Sequence, residues 1–72
     1  MKYRFHTKAG VFEIEQRSGR WHAMFLGESL GSYATPQDAA GDLALGHTFT
    51  PSTGVDPGTL GIAEDLSEWE EV

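Results

Sequence analysis

The chain has 72 residues, no cysteine and a formal net charge of −6 at pH 7. That length makes one domain, and a domain this small buries only about 60% of the surface its unfolded chain exposes. The missing cysteine closes the disulfide route to extra stability and fits a reducing compartment. No apolar run approaches the roughly 20 residues of a bilayer span, and no apolar segment follows Lys2 and Arg4 as it would in a signal peptide. The sequence therefore reads as a cytoplasmic chain beginning at its natural Met1, without membrane contact.

Lys2–His6 alternates. Tyr3 and Phe5 share one face while Lys2, Arg4 and His6 take the other, which is the period of a half-buried strand. Thr7 to Gly10 is a turn. Val11–Arg17 alternates again, with Phe12 and Ile14 on one face and Glu13, Glu15 and Arg17 on the other. Ser18-Gly19 is a two-residue hairpin signal between alternating runs. Arg20–Leu26 makes a third strand with Trp21, Ala23 and Phe25 on one face. His22, Met24 and Leu26 point the other way, and two fairly apolar faces suit a strand inside a sheet. Gly27-Glu28 turns the chain into a short fourth strand, Ser29–Tyr33.

The period then changes. Thr35 can cap a helix, Pro36 suits its first position, and Asp38 suits its positive end. Ala39, Ala40, Leu43 and Ala44 carry the helix to Gly46, which ends it. Residues 47–61 hold two prolines and three glycines and read as loop. Ile62, Leu66 and Trp69 recur at i, i+4 and i+7, one face of a short acidic helical segment. Phe5, Phe12, Trp21, Phe25, Tyr33, Leu43, Leu66 and Trp69 are the large core candidates.

The expected fold is α+β: an antiparallel three- to four-stranded β-meander packed on one α-helix. It forms a single domain, 1–72, with the meander at 1–34, the helix at 35–46, a loop at 47–61 and an acidic amphipathic tail at 62–72.

Charge is divided along the chain. All five Lys and Arg lie in the first twenty residues, and nine of the eleven acids follow Leu26. Two arrangements satisfy this split. The basic and acidic parts can neutralise each other within the fold, or the basic part can meet an acidic partner. The first is favoured.

Few residues point to chemistry. His6, His22 and His47 have no metal-motif spacing, so no metal site is expected. There is no thiol, no phosphate loop and no carboxylate pair set across a cleft. We expect no catalytic residues, no cofactor and no enzyme activity. The acidic end carries Leu66, Glu68 and Trp69 in a pattern suited to capturing a protein partner. The expected assembly is a monomer or a weak homodimer.

Three segments also carry a family cadence: Gly19-Arg20-Trp21-His22-Ala23, then Leu30-Gly31-Ser32-Tyr33, then Thr35-Pro36-Gln37-Asp38-Ala39-Ala40. Residues 11–46 resemble the AP2-type and integrase N-terminal DNA-binding domains, in which a three-stranded sheet precedes an alanine-rich helix. That resemblance implies a sheet face entering the major groove, with Arg17, Arg20, Trp21 and His22 as the contacts. Glu13 and Glu15 share that stretch of sheet, and an acidic chain opposes phosphate binding. The leading expectation is therefore a non-enzymatic binding or regulatory module with a protein partner; nucleic-acid binding by the exposed sheet face is the alternative, and a small enzyme or metal-binding protein comes third.

Overall fold

The computed structural model describes residues 1–72. Four strands form an antiparallel meander: β1 (Lys2–Thr7), β2 (Gly10–Arg17), β3 (Arg20–Phe25) and β4 (Glu28–Tyr33). The helix α1 (Pro36–Leu45) follows, and a short β5 (Glu70–Glu71) closes the sheet in the order β4-β3-β2-β1-β5. Two 3₁₀ turns, Pro57–Thr59 and Leu66–Glu68, interrupt the long connection between α1 and β5.

Local chemistry explains each boundary. Ser18 and Gly19 both take positive φ, 52° and 76°, and so do Leu26 and Gly27, 52° and 80°. Paired left-handed residues are what a tight hairpin needs to follow the strand twist. The second turn therefore falls at Leu26-Gly27, one residue earlier than the sequence suggests, and β4 starts at Glu28. Thr35 caps α1 by accepting from the Asp38 N–H at 3.1 Å, with Pro36 as the first helical residue. Gly46, at φ 73°, ends it: its N–H donates to the Leu43 carbonyl while that of His47 donates to Asp42. A side chain at Gly46 would also strike Asp56 Oδ1 and the backbone of Gly58. The helix end and the first 3₁₀ turn thus meet glycine against glycine.

One face of the sheet holds the core. Phe12, Ile14, Ala23, Phe25 and Leu30 pack there under Ala39, Ala40 and Leu43 of α1. Phe12 and Phe25 stack at a centroid distance of 4.3 Å. The alanines let the helix sit low over β2, β3 and β4. β4 bulges opposite Ala23 and Met24, and this one extra residue puts Tyr33 as well as Leu30 on the covered face.

The C-terminal segment departs from the expected helix. Its regular part is a single 3₁₀ turn capped by Asp65, after which Trp69 is extended at φ −93° and ψ 150°. Two residues then pair with β1, Tyr3 with Glu71 and Arg4 with Glu70. The physical reason is that Trp69 packs on Phe5 of β1, the strand farthest from α1. Trp69 is 6% exposed, lies 5.2 Å from Phe5 between ring centroids, and donates from Nε1 to the Ala63 carbonyl at 2.8 Å. An isolated helix of this length gains little in water, so packing decides the conformation.

Candidate functional site

The site candidates from the sequence fall into two groups, and the structure separates both. Of the tail residues, Trp69 is a core residue and Leu66 packs against the core, while Glu68 is exposed. Two of the three side chains are thus used inside the fold. Of the hairpin residues, Trp21 lies on the covered face, where it pairs with Tyr33 and sits 5.9 Å from the Tyr3 ring. Arg17, Arg20 and His22 lie on the other face. The four residues do not form one surface, because neighbours along a strand point to opposite sides.

The helix and the segment ending at Trp69 pack on the covered face, and the other face is laid out by the strands' own side chains. Strand register fixes its layout. One row reads Lys2, Glu15, His22, Ser32. The next reads Glu70, Arg4, Glu13, Met24, Ser29. Read along the strands instead, β1 contributes a basic stripe of Lys2 and Arg4, and β2 an adjacent acidic stripe of Glu13 and Glu15.

The stripes are paired in the plane of the sheet. Arg4 Nε donates to Glu13 Oε2 at 3.3 Å, and Lys2 Nζ lies 3.8 Å from the same oxygen. Lys2 Nζ also lies 3.9 Å from Glu15, whose second oxygen holds Arg17 at 2.7 Å. Arg20 donates instead to the Ser32 hydroxyl and carbonyl, at 2.6 and 3.2 Å. The cations are therefore answered mainly by acids of the same N-terminal part rather than by the tail. Within the sheet the charge split is internal, and the acidic excess lies on the helix, loop and tail.

These long side chains are partly exposed, and Met24 stands beside Glu13 on the same face. Met24 is 7% exposed. Lys2, Arg4, Glu13 and Met24 were not singled out from the sequence as site residues. Their alternation was visible, but their grouping depends on the pairing of β1 with β2 and of β2 with β3.

A groove of about 210 Å³ runs beside β4, lined by Leu30, Ser32, Tyr33, His47 and Phe49 among others. The Phe49 N–H donates to the Leu30 carbonyl at 2.9 Å, so residues 47–49 already occupy part of this edge. His47 is the only titratable group there besides Tyr33. Burial, then a hydrogen bond and the charge of Asp42, push the Tyr33 phenol up to about 12. The hydroxyl is thus held neutral and is a poor base. The three histidines are spread between the uncovered face and this groove, and no cluster of three ligating side chains occurs. No helix is long and apolar enough to cross a membrane. No protein-family model, curated protein or solved structure matches the chain.

Proposed function

We propose that the chain is a non-enzymatic, cytoplasmic binding module that engages a protein partner through the uncovered face of its sheet. The observation that supports this reading is the pairing of Lys2, Arg4 and Arg17 with Glu13 and Glu15 on the face that also carries Met24, beside Glu13. A phosphate backbone needs free cations, and binding one here would break those pairs and bring Glu13 and Glu15 against it. A protein surface can instead match charges of both signs and cover an apolar centre.

The test is a substitution at that centre. Met24→Lys should abolish capture of a partner from cell extract by the immobilised protein while the far-ultraviolet circular dichroism stays unchanged. Capture that survives in a folded Met24→Lys protein would sink the reading. A gel-shift with single-stranded or duplex nucleic acid at low salt, fading steeply as salt rises, would favour phosphate binding instead. Deleting 62–72 is not a usable test, because it removes Ile62 and Trp69 from the core.

A further inference from the structure

Resting on the reading of the uncovered face as a protein-binding surface, we infer that its partner is a second copy of this chain, seated face to face with β1 of each copy over β2 of the other. The argument is charge complementarity within one self-complementary pattern. The basic residues Lys2 and Arg4 stand on β1, and the acidic residues Glu15 and Glu13 stand beside them on β2 in the same two rows.

A two-fold axis lying in the interface, parallel to the strands and midway between β1 and β2, exchanges the stripes and keeps each row in place. Lys2 then faces Glu15 of the other copy, and Arg4 faces Glu13. The operation repeats both contacts, as every two-fold interface does. The other in-plane axis, perpendicular to the strands, lays each stripe on itself, with Lys2 and Arg4 facing Lys2 and Arg4. Like charges placed opposite one another are strongly disfavoured. The pattern therefore specifies one orientation out of two, and that orientation keeps the sheets aligned as in ordinary face-to-face packing.

The same axis places the flanks. Val72, in register with Lys2, comes over His22, and Glu70, in register with Arg4, comes over Met24. Arg17 and Arg20 lie in the next row, beyond the stripe of β1. Strand spacings of about 4.8 Å and about 3.3 Å per residue give a face of roughly 20 by 20 Å. That is at the small end of specific interfaces, so association is weak and reversible. The net charge of −6 opposes it less than the total suggests, because most acids lie off this face and the screening length is about 8 Å at physiological salt.

Sedimentation equilibrium at physiological salt, up to millimolar protein, tests this. Wild type should show a monomer–dimer equilibrium. Arg4→Glu and Glu13→Arg should each weaken self-association about tenfold or more, because each sets like charges face to face. Mixing the two single variants should restore a heterodimer, since Glu at position 4 of one then meets Arg at position 13 of the other. The double exchange R4E/E13R restores both the in-plane pair and the cross-interface pair, and it should dimerise like wild type even where a single variant folds poorly.

A wild type that stays monomeric at millimolar concentration would overturn the second copy as partner. Loss of capture in Met24→Lys would then still uphold the face as a binding surface for another protein. Dimerisation unaffected by either single exchange would place the contact elsewhere and overturn the proposed seating. The capture result would then judge the face by itself.

Discussion

The two faces of this sheet are built from the same strands and obey opposite rules. On the covered face the alternate residues are mostly apolar, and the layer above is supplied by α1 and by the segment ending at Trp69. On the uncovered face the alternate residues are mostly charged or polar and satisfy one another sideways, with Met24 beside Glu13. A 72-residue chain thus commits one face to folding and keeps the other saturated without a lid. The first should be intolerant of change and the second should not.

The largest expected break of this contrast is Phe12→Ala. Phe12 is fully buried and stacked on Phe25. Truncating such a residue costs about 3–5 kcal/mol, a large share of what a domain of this size holds. Thermal denaturation followed by circular dichroism should show an unfolded or barely folded protein at room temperature.

Tyr33, at the margin of the covered face, sharpens the contrast through pH. Its phenol is raised from 10.0 to about 12, chiefly by burial and then by Asp42. A group whose pKa is raised on folding adds stability that is fully present below the unfolded value and is lost as pH rises through the folded one. Stability should therefore decline between about pH 10 and pH 12. Ultraviolet titration of the phenolate should show Asp42→Asn moving the midpoint back toward the ordinary value, but only in part, because the burial remains. A midpoint already at the ordinary value in wild type would contradict the geometry around the ring.

The smallest effect belongs to the uncovered face. Glu15→Gln removes the partner of Arg17 and one partner of Lys2. Partly exposed pairs of this kind contribute about 0–1 kcal/mol, so chemical denaturation should barely distinguish the variant from wild type. A loss comparable to that of Phe12→Ala would mean that the uncovered face is part of the stabilising core.

Most of the fold was legible because its signals are local. The alternation of Tyr3 and Phe5, of Phe12 and Ile14, and of Trp21, Ala23 and Phe25 separates inside from outside without any knowledge of partners. Thr35-Pro36 and Gly46 bracket α1 by backbone chemistry alone. The fifth strand was not legible. Glu70-Glu71 carries no strand pattern, and its conformation comes from pairing with Tyr3 and Arg4 at the far end of the chain. The spacing of Ile62, Leu66 and Trp69 imitates a helix, but their common burial is reached by a 3₁₀ turn and an extended Trp69. The bulge that brings Tyr33 to the same face as Leu30 also has no marker in sequence. The uncovered face stood between these cases: each residue's side was readable, whereas the adjacency of the basic and acidic stripes required the register.

The pairing of β1 with β5 also orders events in time. During synthesis β1 emerges first, and its apolar side stays half-roofed until Trp69 and the residues after it have been made, because α1 does not reach it. Closing that last gap joins points almost the full chain apart, so it carries a large loop-closure cost and should come after the folding barrier. Changes at the Phe5–Trp69 contact should then act mainly on how fast the native protein opens, and only slightly on how fast it forms. A nascent chain paused just short of Trp69 would expose Phe5, and in that interval a chaperone would find an apolar edge to hold.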